Sequence, residues 1–163
     1  MDQPLALNLT IADTRLSQSQ YFSVRYAVED DLPYISAIEK QTSAYPWSDK
    51  QIAACINQSI LLVKNDEILG FAVVVLSANQ AELHNITISP DVQSQGLGGL
   101  FLQALIESIP IAVETFYLEV RASNYRALRL YHGLEFIKIA ERKDYYRNGL
   151  AREDAIIMAR KTP

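Results

Sequence analysis

The segment best suited to binding chemistry is Gln93-Ser94-Gln95-Gly96-Leu97-Gly98-Gly99, set between a strand pattern ending at Ile88 and a helix pattern beginning with Leu100, Phe101 and Leu102. Glycines at such a junction let backbone amides turn toward an anion, and the helix start adds the positive end of its dipole. A diphosphate is the natural ligand. No Gly-Lys-Ser/Thr follows, so the loop is not of the Walker type, and Phe101 occupies the place of the third glycine in a dinucleotide fingerprint. A tight turn with helix-capping glycines accounts for the same residues equally well.

Three further residues could act on a proton or hold a ligand. Glu119 lies in a strand whose core-facing set is Phe116, Leu118 and Val120, so it points away from that core. It reads either as a solvated carboxylate or as a proton acceptor. Asn124 follows Ser123 at a helix start, where capping is an ordinary role. Tyr131 shares a helix face with Leu128, where a tyrosine usually packs into a core. His84 and His132 lack ligand spacing with Cys or Asp, and no metal site is expected. Cys55, the one cysteine, reads as a buried structural residue in a reducing compartment.

The elements that would position these groups follow from periodicity and punctuation. Residues 1–20 read as a flexible tail or a loosely docked N-terminal extension without sustained pattern, and residues 21–163 as one domain. Phe22 to Val28 suggests a strand, and Asp30-Asp31 before Pro33 a helix start carrying Leu32, Ile35, Ile38 and Ala44 on one face. Tyr45-Pro46-Trp47 breaks that helix, and Ser48 with Gln51 has capping-box spacing for the next. Ile60 to Lys64 and Ile68 to Ala78 read as strands around Asn65-Asp66-Glu67, and Ala81 to Ile88 as another. Thr115 to Arg121 is a strand and Asn124 to His132 a helix. Phe136 to Lys143 and Asp154 to Lys161 form a hairpin around Arg147-Asn148-Gly149. The order β-α-α-β-β-β-α-β-α-β-β is a mixed α/β pattern.

Composition narrows the classes. A chain of 163 residues with 49% hydrophobic and 21% charged residues is globular and of single-domain size. The longest apolar run, Ile68 to Leu76 interrupted by Gly70, is too short for a membrane span, and the N-terminus lacks a signal-peptide layout, so a cytoplasmic protein is expected. A net charge of −4 without a Lys/Arg cluster disfavours nucleic acid. It favours an amine or basic peptide, although many soluble proteins carry such a charge.

Several segments together resemble one family. Gln93-x-x-Gly96-x-Gly98 in its strand–loop–helix setting resembles the acetyl-CoA-binding motif of the GNAT acetyltransferase superfamily. Tyr45-Pro46-Trp47-Ser48, Asn85-Ile86-Thr87-Ile88, Leu118-Glu119-Val120-Arg121-Ala122-Ser123-Asn124, Leu130-Tyr131 and Glu153-Asp154-Ala155-Ile156-Ile157-Met158 resemble the bacterial ribosomal-protein-alanine group within that superfamily. The resemblance spans Phe22 to Lys161. It implies a single domain with a mixed central sheet whose parallel strands splay apart, flanked by helices.

The resemblance also assigns roles. Backbone groups of Ile86, Thr87 and Ile88 would meet the pantetheine arm of acetyl-CoA, amides from Gln93 through Ser94, Gln95, Gly96, Leu97 and Gly98 to Gly99 would hold its pyrophosphate, and Asn124 would touch the cofactor. Glu119 would take or relay the ammonium proton and Tyr131 would protonate the leaving thiolate, in a direct attack without a covalent enzyme intermediate. Coenzyme A would be released. The acceptor implied is the N-terminal alanine of a small-subunit ribosomal protein, a basic partner, with a monomeric enzyme favoured. About one α-amine in ten is neutral at pH 7 against roughly one lysine amine in two thousand, which agrees with an α-amine. Tyr45, Trp47, Tyr145 and Tyr146 would flank the peptide entrance, and Glu39 and Asp154 would attract basic side chains downstream of the alanine. The family usually has glycine four residues after the tyrosine. Here Glu135 stands there and Gly133 comes two residues sooner, so an earlier helix end is expected. A lysine or small-amine acceptor, or an acyl-CoA-binding module without turnover, are the alternatives.

Overall fold

The computed structural model describes residues 9–14 and 20–162. Phe22 and Val24 point inward from β2 (Gln20–Tyr26) while Tyr21 and Ser23 face outward. Within the segment read as an extension, β1 (Leu9–Asp13) pairs antiparallel with β2 from Leu9↔Val24 to Asp13↔Gln20. Of its residues whose side chains are described, Ile11 is the hydrophobic one that leans on the core, so its periodic signal is weak. The polar stretch Ser17 to Ser19 and residues 1–8 lie outside the described residues.

Asp31 accepts the Val28 amide at 2.8 Å and both guanidinium branches of Arg25 at 2.7 and 3.0 Å, which fixes the entry to α1 (Leu32–Thr42). That helix stops at Thr42, so Ala44 lies outside it. The capping box at α2 (Asp49–Ala54) forms as its sequence predicts: Gln51 N–H donates to Ser48 Oγ and Ser48 N–H to Gln51 Oε1. Next come β3 (Ser59–Lys64), β4 (Glu67–Ser77), β5 (Gln80–Ile88), α3 (Leu97–Glu107), β6 (Thr115–Arg121), α4 (Tyr125–Gly133), β7 (Ile137–Asn148) and β8 (Ala151–Lys161). The eight-stranded sheet runs β1-β2-β3-β4-β5-β6-β8-β7, and β5/β6 is its parallel pair.

Helices cover both faces. Ile35 and Ile38 of α1 and Ile52 of α2 pack with Leu61, Val63, Phe71 and Val73. Phe101, Leu102 and Leu105 of α3, with Tyr131 of α4, pack on the other face with Ile60, Leu62, Phe116 and Leu118. Because β3 is buried on both faces, its residues alternate between the two cores.

The sheet opens at one place. β6 pairs with β5 only from Gln80↔Thr115 to Leu83↔Leu118, although β5 continues to Ile88 and β6 to Arg121. A bulge leaves His84 unpaired between Val74↔Leu83 and Val73↔Asn85, and such an extra residue bends a strand and raises its twist. Ala81 and Leu83 before it, and Ile86 and Ile88 after it, then all lean on the same core, which unbroken alternation could not achieve. Gly70 permits the close β4/β5 approach here. A Cβ on it would stand 2.6 Å from the Thr87 carbonyl oxygen.

Candidate active site

The splayed strands leave a cleft of ≈ 430 Å³ between β5, the Gln93–Gly99 loop and α4. Ile86, Thr87 and Ile88 form one wall, Gln93, Ser94, Gly96, Leu97, Gly98 and Gly99 the end, and Asn124, Arg126 and Tyr131 the other wall. Gln95 is exposed and does not line it. Beyond the β6 pairing, one edge of β5 turns its backbone groups toward this gap. Ser94 (φ 65) and Gly96 (φ 79) are both left-handed, and Gly96 caps α3 directly. The helix therefore starts at Leu97 rather than Leu100, and Gly98 and Gly99 supply free amides of its first turn. No acidic residue occupies that turn, and the Gln93 side chain ties the loop to the Ile88 carbonyl at 2.9 Å while accepting from Arg126 at 3.3 Å. Open amides, a dipole and a nearby guanidinium suit a diphosphate. Arg126 was not legible as a site residue, since an arginine in the first turn of a surface helix carries no motif.

A second cleft, ≈ 660 Å³, opens on the α1/α2 face and shares Thr42, Ile86, Thr87, Asn124 and Tyr131 with the first. The two meet at Tyr131. Its ring is buried against Phe136 (centroids 6.0 Å apart), and burial pushes its phenol up to about 12. Asn124 accepts the Ala127 amide at 3.1 Å and so caps α4 while lining both clefts.

The second cleft also holds Glu119, whose Oε2 accepts from Arg142 at 2.9 Å and whose Oε1 accepts from the Tyr146 hydroxyl at 3.1 Å. Burial and the neighbouring Glu119 charge push the Tyr146 phenol well above its ordinary value. Arg121, two residues beyond Glu119 on the same strand face, lies between the rings of Tyr45 (4.4 Å) and Tyr146 (4.2 Å) and pairs with Glu153 at 3.3 Å. It joins the α1/α2 loop to the terminal hairpin across the cleft. Alternation in β6 would have found it. The hairpin strands are longer than their sequence pattern, running to Asn148 and from Ala151, and a bulge between Arg142 and Tyr146 brings Tyr145 and Tyr146 to the site.

Trp47 packs against the α1/α2 core and lines this cleft beside Tyr45. Two acidic residues read as attracting basic side chains are placed otherwise. Glu39 reaches the cleft wall, but it is only 2% exposed and its carboxylate is taken by the Trp47 amide (3.0 Å), Thr87 Oγ1 (3.2 Å) and Asn85 Nδ2 (3.3 Å). It pins the Trp47 loop to β5. Asp154 lies off both clefts, held by Lys143 (2.8 Å) and the Asp144 amide (2.9 Å), which lower its carboxyl to about 2.

The helix carrying Tyr131 ends on Glu135 in the left-handed conformation, φ 64. Phe136 N–H donates to the Tyr131 carbonyl and Glu135 N–H to that of His132, both at 3.0 Å. These two bonds, with Tyr131 packed on Phe136, make a Schellman stop. The expected shortening at Gly133 does not displace Tyr131, because glutamate itself takes the turn. Arg160 supports it, donating to the Leu134 carbonyl at 3.0 Å and pairing with Glu135 at 3.3 Å.

The model of the acetyltransferase (GNAT) family matches residues 22–136, most of this structure up to the Schellman turn. The chain belongs to the GNAT acetyltransferase family. It is 41% identical over 133 residues to the [ribosomal protein bS18]-alanine N-acetyltransferase of Escherichia coli, covering 79% of this chain and 90% of that one. The enzyme of the same description from Haemophilus influenzae is 36% identical over 134 residues, covering 79% and 91%. The crystal structure of the E. coli ribosomal-protein-S18-alanine N-acetyltransferase superposes with a TM-score of 0.81 at 38% identity, over 86% of this chain and 94% of that one. An Elizabethkingia anophelis GNAT acetyltransferase with acetyl-CoA bound shares the fold at 20% identity, TM-score 0.70, over 86% and 97%. Among the described residues, no helix is long and apolar enough to cross a membrane.

Proposed function

We propose that the chain moves the acetyl group of acetyl-CoA to the N-terminal alanine of ribosomal protein bS18 and releases coenzyme A. The observation that carries this reading is the meeting of an amide-lined, anion-suited cleft with a carboxylate-bearing cleft at one buried tyrosine. The likeness to the bS18-alanine enzymes supplies the acceptor.

Acetyl-CoA supplies the thioester, and the chain's residues do the rest. Amides of the α3 first turn and Arg126 would take the diphosphate, and the free edge of β5 would take the arm. The acceptor amine would enter through the second cleft between the Tyr45–Trp47 loop and Tyr146, and attack the thioester carbonyl while the carbon–sulfur bond breaks. Glu119 accepts the proton the nitrogen loses, directly or through water. Tyr131, whose phenol stays protonated up to about 12, gives its proton to the departing sulfur. An α-amine suits this arrangement because about one in ten is already neutral at pH 7.

Thiol release from acetyl-CoA tests the reading, with a short peptide starting in free alanine beside the same peptide blocked at its N-terminus and carrying an internal lysine. Release with the free N-terminus only is expected. Equal release with both would move the acceptor to lysine, and release with neither, with acetyl-CoA demonstrably bound, would favour a different acceptor or a binding module.

A further inference from the structure

A third cavity, ≈ 500 Å³, lies on the open face of β5, β6 and β8 and shares Trp47, His84, Glu119 and Tyr146 with the acceptor cleft. It continues that cleft away from Tyr131, the direction in which a peptide must run once its amine has reached the thioester. Trp47, Tyr117 and Tyr145 give it aromatic walls. Its charges are unequal in what they leave free. Arg142 and Glu119 compensate one another at 2.9 Å, and the other Glu119 oxygen is taken by Tyr146. Glu82 is half exposed and, among the described residues, bonds only His84, at 3.1 Å, a partner that is uncharged unless protonated. One carboxylate among ring faces is therefore left uncompensated.

We propose that this cavity is a subsite for the cationic side chain, arginine or lysine, of the residue that follows the acceptor alanine. The inference rests on the α-amine reading above. The stem of such a side chain lies along Trp47 and Tyr117, and its charged end meets Glu82 and the ring faces. An acidic side chain meets Glu82 instead, with Arg142 already engaged. A cationic side chain after the acceptor alanine is thus recognised by Glu82, rather than by Glu39 or Asp154.

The test compares kcat/KM for three peptides that begin Ala-Arg, Ala-Gln and Ala-Glu and are otherwise identical, at saturating acetyl-CoA. Wild-type enzyme should prefer Arg over Gln by about fivefold or more, the size expected of one exposed ion pair with a cation–π contact, and Glu should be poorest. Glu82→Gln should bring the Arg/Gln ratio to about twofold or less. Added salt should lower the wild-type ratio too, which needs no variant to fold. Acetylation of all three peptides without an Arg preference, a ratio unmoved by Glu82→Gln, or a best rate with Glu overturns the subsite and leaves the α-amine reading standing. Acetylation of none overturns both.

Discussion

Glu135→Gly isolates the backbone strain at the turn behind Tyr131. A non-glycine residue in the left-handed region costs about 1–2 kcal/mol, and glycine removes that cost. Against this, glycine adds unfolded-state entropy worth about 0.4–1 kcal/mol. The lost ion pair to Arg160 is worth little, because the Glu135 side chain is 80% exposed. The net is a stabilisation of about 0.5–1 kcal/mol, a rise in Tm of about 1–4 °C. Glu135→Ala is the companion: it loses the same ion pair and keeps the strain, so it should be no more stable than wild type. Thermal melts of the three proteins by circular dichroism give the comparison, and kcat should stay within about twofold because the Schellman bonds survive in both variants. A Glu135→Gly protein no more stable than Glu135→Ala would refute the backbone account, since the two differ in strain and not in the ion pair to Arg160.

Tyr131→Phe removes the hydroxyl where the clefts meet and should lower kcat about tenfold or more, with acetyl-CoA affinity by calorimetry nearly unchanged. Because burial raises the Tyr131 phenol to about 12, its protonated form persists through alkaline pH. Accordingly kcat/KM should rise with pH as the α-amine loses its proton near about 8 and show no falling limb up to about pH 10; a fall between 8 and 10 would remove Tyr131 as the acid. Gly70→Ala forces a Cβ to 2.6 Å from a β5 carbonyl, and should cost about 1–3 kcal/mol in denaturant melts. The Arg25–Asp31 pair holds the Asp31 carboxyl below its ordinary value, so its contribution is present above about pH 4 and lost as pH falls further. Asp31→Asn should therefore flatten the acid side of the stability profile.

The strands and helices that carry whole periods were legible: the capping box at Ser48, the alternation of β6 and the loop before α3 all formed as their residues predict. Element ends were less so. Gly96, not the first large apolar residue, sets the start of α3, because the left-handed cap is a backbone preference that hydrophobic periodicity does not report. The bulge at His84 was written in the sequence as a parity change, Ala81 and Leu83 against Ile86 and Ile88, but only the sheet gives that change its meaning as the opening of the cleft. Glu39 shows the opposite limit. A glutamate in the last turns of an amphipathic helix looks solvated, and its burial depends on three donors from two distant segments. Arg121 was legible as a site residue through the alternation of β6, which puts it on the face of Glu119, but its ring partners in the α1/α2 loop and the terminal hairpin were not, and Arg142 became visible only when the hairpin brought it to Glu119.

The most direct test of the acetyltransferase account is the position of the acetyl group on intact ribosomal protein bS18 after incubation with the protein and acetyl-CoA, read by fragmentation mass spectrometry. The account predicts a single acetyl group on the α-nitrogen of the N-terminal alanine, absent when Tyr131→Phe and Glu119→Gln are combined. Acetyl groups confined to lysine side chains, or an unmodified N-terminus with acetyl-CoA demonstrably bound, would contradict it.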